Sequence, residues 1–406
     1  MERPWEILWV DFRRERVEAA LQEAQWLKLL LDDPRVAPEL KDGCEWTPSR
    51  LLASLARNES IVGELLRNSR IVLESKSVDG ITLLSWAVKC GKIDTMKHLL
   101  DAGANINAQD KEPPYCTPLW YAVQCPQKEI LKVLLCHDDV EVNMRDYSGL
   151  TPLHEAIQWG PWSPAHIAIA RMLLADERVD TSAGERWNVD PNQTDKDGQS
   201  PLFLATKHGV AHLVRYLIGC GDVKIESQTH SWETALSLAC ERGSMEIARL
   251  LLFEGRASQC VLGSRSPLMA ATRNQHKDVV RLLLDDLNKN YAPLRRKLVY
   301  RAPFRRAAFE GYDDVLRVFL ECDGVDPNIA WQGLTPLMTA VRKGHENSVS
   351  LLLGHNLTDV NRGDKHGFTA LMVAVVYKHL AAAKLLLGDP RVDPNQRDSW
   401  GRTPLF

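Results

Sequence analysis

The chain has 406 residues, of which 45% are hydrophobic and 25% charged, and it carries a formal net charge of −3. That near-neutrality gives no overall pull toward nucleic acid, and no stretch has the roughly eighteen apolar residues of a membrane span nor the first helix the pattern of a secretory signal. Nine cysteines without a CxxC pair point to reduced thiols and a cytoplasmic or nuclear home.

Residues 4–31 predict at least one helix, with apolar Leu21, Trp26, Leu27 and Leu30 and a charged run at 13–16. A polar-faced helix of this kind suits the end of a repeat array, which covers a core on one side only. Residues 29–49 align without gaps on residues 385–405, so 47–80 form a degraded repeat with Ile61–Leu66 as its second helix.

From Thr82 onward the same phrase restarts nine times, at Thr82, Thr117, Thr151, Ser200, Thr234, Ser266, Ala302, Thr335 and Thr369. Typical forms are TPLHEAIQWG (151–160) and TPLMTAVRKGH (335–345). Each position has a physical task. Thr or Ser caps a first helix and Pro takes its first turn, where a missing N–H costs nothing. The alanine that follows (Ala87, Ala122, Ala156, Ala205, Ala239, Ala271, Ala307, Ala340, Ala374) lets neighbouring helices approach. Gly91, Gly160, Gly209, Gly243, Gly311 and Gly344 fall where the chain turns into a second helix and are expected at positive φ. A V-x-x-L-L-L face marks the second helix, as at Val279–Leu284, and an extended V-D-P-N or I-N tail turns into the next unit.

A period near 33 residues with a T-P-L-H-x-A opening is the mark of ankyrin repeats. The chain is identified by these residues as a member of that family. Its VDPNQRDSWGRTPL phrasing (392–405) resembles the long ankyrin arrays of filamentous ascomycete fungi, over about residues 29–406. The resemblance implies an all-α ankyrin-repeat solenoid, helix-turn-helix units with extended β-turn fingers, that binds on the concave groove of its first helices and finger turns. The expected organisation is capping helices and a first degenerate unit over 1–46, then the array over 47–406. Insertions fall around 160–190 and 286–300, and the last repeat stops four residues in. Its apolar flank raises the prospect of end-to-end self-association.

No recognised catalytic or metal-binding motif appears, so no cofactor or metal is expected and non-enzymatic binding is favoured. His154 occupies the motif's own His position, where it either bonds neighbouring turns or, with Glu155, acts as a base; adjacent helix residues diverge in direction, which disfavours the second.

The groove splits into two halves. The first is aromatic: Trp86, Trp120, Tyr121 and Trp159 fall in three consecutive first helices, and Trp162 and Trp187 in the long repeat that follows Thr151. Trp86 and Tyr121 either pack between helices or face the groove, and Trp120 and Trp159 are candidate anchors. The second half is cationic, with Lys207, Arg242, Arg273, Arg305, Arg306, Arg342 and Lys343 near the ends of first helices. The segment 289–306 adds further Arg and Lys, with no acid and with Tyr291, Tyr300 and Phe304 interleaved.

The function expected is a protein–protein interaction scaffold whose partner brings an apolar segment beside an acidic one; nucleic acid and membrane are not favoured. The alternative is a small-molecule-binding or non-redox, cyclase- or isomerase-like pocket under the 160–190 insertions. It would take an apolar or anionic small molecule, with His154, Glu155, His166 and Asp110 as titratable candidates.

Overall fold

The computed structural model describes residues 73–74, 76, 80–110, 115–160, 163–174, 190–259 and 265–405. The expected N-terminal cap, most of the degraded repeat, and Trp162 and Trp187 lie outside them. The chain divides into two compact units, 1–196 and 197–406. The described residues hold no strand, only isolated bridges at Lys76–Thr82 and Trp331–Leu334.

Among the described residues unit 1 contains three helix pairs: α1 (Leu83–Lys89) with α2 (Ile93–Asp101), α3 (Pro118–Gln124) with α4 (Lys128–Leu135), and α5 (Pro152–Trp159) with α6 (Pro164–Leu173). The side chains of Thr82, Thr117 and Thr151 accept from the N–H groups of Ser85, Trp120 and His154, satisfying a donor each helix start would leave orphaned. First helices stack in succession, α1 on α3 on α5, and Ala87, Ala122 and Ala156 are wholly buried in that layer. The fingers are tied by side-chain amides: Asn107 Nδ2 donates to the Asp139 carbonyl at 2.7 Å while its Oδ1 accepts from Glu141 N–H at 2.8 Å.

Among the described residues unit 2 repeats the scheme in six pairs. The first helices are α7 (Pro201–Lys207), α9 (Ala235–Glu241), α11 (Pro267–Arg273), α13 (Pro293–Glu310), α15 (Pro336–Lys343) and α17 (Ala370–Val376). Their partners are α8 (Ala211–Gly219), α10 (Met245–Arg249), α12 (Lys277–Asn290), α14 (Asp313–Glu321), α16 (Glu346–Gly354) and α18 (Leu380–Leu387); α10 continues into a π-helical turn, Leu250–Glu254. Each set stacks as its own layer. Asn328 and Asn361 repeat the finger fork: Asn361 Nδ2 donates to the Arg391 carbonyl at 2.7 Å and its Oδ1 accepts from Asp393 N–H at 2.8 Å.

Two expectations change. Gly160 has φ −48° and ends α5 in the right-handed region rather than at positive φ. The insertion around 286–300 is largely helical, and the helix expected from Ala302 starts at Pro293. α12 runs to Asn290, only Tyr291 and Ala292 intervene, and α13 is helical over 18 residues with Pro303 inside it. Burial of Val299, Tyr300 and Phe304 along α13 offsets the hydrogen bond that Pro303 removes. The long helices also do the finger's tying: Asn288 Nδ2 donates to the Asp323 carbonyl at 2.5 Å, and the Tyr300 hydroxyl accepts from Asp326 N–H at 3.0 Å.

Candidate recognition surfaces

In unit 1 the aromatic residues divide by exposure. Trp120 and Tyr121 are 7% and 5% exposed, with their rings edge-to-face at 5.8 Å. The Tyr121 hydroxyl donates to Asp110 Oδ2 at 2.7 Å. His154 is fully buried, and its Nδ1 lies 2.7 Å from Thr151 Oγ1 and accepts Thr151 N–H, forming a capping box. Trp120, Tyr121 and His154 are therefore packed rather than open contact positions, since each spends its surface on neighbouring helices or on the cap. Trp86 is half-buried, and Trp159 is 44% exposed.

Glu155 is buried too, yet its Oε1 accepts from Trp159 Nε1–H at 2.8 Å, so it positions the exposed indole. Burial raises the Glu155 carboxyl above the usual range, against the pull of that hydrogen bond, and the charge of Asp146 adds to the rise. Burial likewise raises the Cys116 thiol, with Asp110, Asp146 and Glu155 contributing in turn. These three carboxylates come from different repeats, so their shared influence on one thiol was not visible in the sequence. The His166 ring sits 6.3 Å from that of Trp159, and burial lowers its pKa while a bond to the Gln124 carbonyl opposes the shift. His154 and Glu155 thus face different partners, Thr151 and Trp159, and do not build a base–acid pair. The proposed pocket walls Trp162 and Trp187 lie outside the described residues.

In unit 2 the cations gather at two places. Lys207 Nζ donates to Gln199 Oε1 at 3.0 Å, Arg242 donates to the Lys207 carbonyl, and burial followed by the charges of Lys207 and Arg242 lowers the His208 pKa. Arg273 is exposed at the end of α11. The denser group spans α13 and α15. The guanidinium carbons of Arg301 and Arg305 lie 4.5 and 5.7 Å from the Trp331 ring centroid, and Lys343 Nζ lies 4.0 Å above Phe309. Arg306 pairs with Glu310 at 3.0 Å. Burial, then the charges of Arg342 and Arg306, push the Arg305 guanidinium below its ordinary range. The Nε atoms of Arg301, Arg305 and Arg306 are buried without a hydrogen-bond partner. Sequence reasoning passed over Trp331; the signal was an aromatic in the finger between two Arg-rich first helices.

Among the described residues no cluster of His, Cys, Asp and Glu could hold a metal ion, and no helix is long and apolar enough to cross a membrane. The family model described as "Ankyrin repeats (3 copies)" matches residues 17–110, 111–184, 183–261, 222–297 and 304–398. The chain belongs to the ankyrin-repeat family.

Among ankyrin relatives, human Rabankyrin-5 is 33% identical over 182 residues, covering 45% of this chain and 14% of that protein. The probable E3 ubiquitin-protein ligase XBOS32 of Oryza sativa subsp. japonica is 28% identical over 211 residues, 52% of this chain and 38% of the relative. Human transient receptor potential cation channel subfamily A member 1 is 24% identical over 370 residues, 73% of this chain and 32% of the channel. The matches therefore span well under half the length of each of these relatives. Among solved structures, the ankyrin repeat domain of Bcl-3 is 25% identical with a TM-score of 0.49, covering 59% of this chain and all of that one.

Proposed function

We propose that this ankyrin chain is a protein-recognition scaffold that holds an acidic segment of its partner against unit 2, at the corner of α13, α15 and the Trp331 finger. Ankyrin repeats mediate protein–protein interaction, and the relatives above are ankyrin-repeat proteins. The observation that carries the finer reading is the set Arg301, Arg305, Arg306, Arg342 and Lys343 gathered at one corner, with Glu310 the paired carboxylate. Like charges held this close repel one another, and an acidic partner relieves that repulsion. The densest group of cations sits at one corner of a near-neutral chain, which favours a short acidic peptide over a nucleic-acid backbone. In unit 1, Trp159 and Trp86 offer aromatic surface for an apolar stretch of the partner.

The test is fluorescence anisotropy of Asp/Glu-rich labelled peptides against the full chain, with the double variant Arg305→Glu and Arg342→Glu. Reversal should weaken binding roughly tenfold or more, and added salt should weaken it steeply. Equal affinity for Lys/Arg-rich peptides, or insensitivity to the reversal, would remove the proposal.

A further inference from the structure

The chemistry of the α13–α15 corner narrows the class of acidic group it takes, an inference that rests on the acidic-partner reading. Arg301, Arg305 and Phe309 follow one another at four-residue spacing on α13 and so share a face of that helix. Trp331 lies against the first two and Lys343 covers the third. Arg342 ends α15 beside Lys343, on a helix that packs against α13, and its charge disfavours that of Arg305. Arg306 already has Glu310, whereas no carboxylate pairs with Arg301, Arg305 or Arg342 among the described residues.

Three guanidinium groups without a carboxylate, two of them against one indole, make a corner with an excess of fork-shaped donors. A single carboxylate brings one charge and two oxygens. A phosphate monoester brings about −1.5 to −2 charges and three acceptor oxygens, and matches paired guanidinium forks bidentately. Arg is also preferred over Lys for this geometry, and the three proposed donors are all Arg, while Lys343 lies over Phe309. The indole holds Arg301 and Arg305 side by side, which lowers the conformational cost of presenting two forks at once.

We propose that this corner is a seat for a phosphorylated side chain within the acidic segment of the partner, with Arg301, Arg305 and Arg342 as its donors. The chemistry it recognises is a phosphate monoester, and a phosphoprotein is distinguished from free phosphate by what competes for it.

The full chain, immobilised, is offered a degenerate peptide library oriented on a central phosphoserine and, in parallel, the same library after phosphatase treatment. The phosphorylated library should bind roughly tenfold or more tightly. Arg305→Gln and Arg342→Gln should abolish that preference at unchanged melting temperature. Arg305→Lys, which keeps the charge but loses the fork, should restore it only in part. Millimolar inorganic phosphate that displaces the peptides completely would assign the seat to a free phosphate compound and overturn the phosphoprotein assignment. Equal binding of both libraries, or a preference that survives the glutamine variants, would overturn the inference while leaving the acidic-partner reading standing. Failure of both libraries and of the Asp/Glu-rich peptides would remove the two together.

Discussion

The Nε2 of His345 lies 2.9 Å from the carbonyl oxygen of Phe309, one repeat earlier, and its ring covers Gly311. A carbonyl only accepts, so Nε2 carries the hydrogen and the imidazole closes the open end of α13. The same relation joins His276 to Glu241 at 2.9 Å and His379 to Arg342 at 3.1 Å, over Gly243 and Gly344. A Cβ on Gly311 would sit 2.9 Å from the His345 ring, and the residue's φ of +73° already disfavours any side chain.

These junctions give the first prediction. His345→Ala should cost about 1–2 kcal/mol by urea denaturation, for one hydrogen bond plus lost packing. Gly311→Ala should cost more than about 1 kcal/mol, from strain and collision together. Because the two share one contact, the double variant should lose less than the sum; strict additivity would show that the ring and the glycine act independently.

Trp232 supplies the second. It is 71% exposed and sits at φ +64°, two residues before Thr234. Most matching finger positions hold glycine, at Gly80, Gly149, Gly198, Gly333, Gly367 and Gly401, with φ between 72° and 85°, and Tyr115 takes φ 58° at another. A bulky side chain is strained there, so Trp232→Gly should stabilise the protein by about 1 kcal/mol, read as a rise in melting temperature. A fall would mean that the indole contributes packing its exposure does not suggest.

Unit 1 should respond to pH through two buried groups. Glu155 has a carboxyl raised by burial, so its contribution is complete below the unfolded value and is lost as pH rises through the folded one. Glu155→Gln should therefore stabilise near pH 7 to 8 and do progressively less toward about pH 4. His166, lowered by burial, works in the opposite sense: its contribution is present above the unfolded value near about 6.5 and is lost as pH falls through the folded one. His166→Gln should flatten the loss of stability on mild acidification. Melting temperatures across that range for both variants check the signs.

Thiol reactivity offers a fourth. Cys116 and Cys240 are buried and their thiols raised by that burial, whereas Cys90 and Cys136 are exposed. Iodoacetamide should label Cys90 and Cys136 in the native protein and Cys116 and Cys240 only after unfolding, as peptide mass mapping would show. Native labelling of Cys240 would place the α9 layer in frequent opening.

The repeat grammar was legible because it is local. Thr and Ser before Pro set the caps, and the alanines fixed where first helices touch; Ala87, Ala205 and Ala340 are all wholly buried. Exposure was not legible, because it depends on the neighbouring repeat. Trp120 stands at the position of a motif His, and its burial comes from the helices beside it, while Trp159 one repeat later stays open. The early start of α13 was hidden for a related reason: the repeat phrase begins at Ala302, but the apolar stripe through Tyr300 and Phe304 carries the helix back to Pro293 and across Pro303. The Trp331 corner was hidden because its members come from two repeats and a finger.

The finger forks carry a consequence for the protein over time. At Asn107, Asn328 and Asn361 one amide both donates to a carbonyl and accepts from an N–H of the next finger. Deamidation to aspartate keeps the acceptor but exchanges the donor for a negative oxygen facing that carbonyl. One hydrolysed amide at Asn361 would thus turn an attraction into a repulsion and loosen the join to the next finger while leaving every helix intact, so chemical ageing of this molecule would begin between its repeats rather than within them.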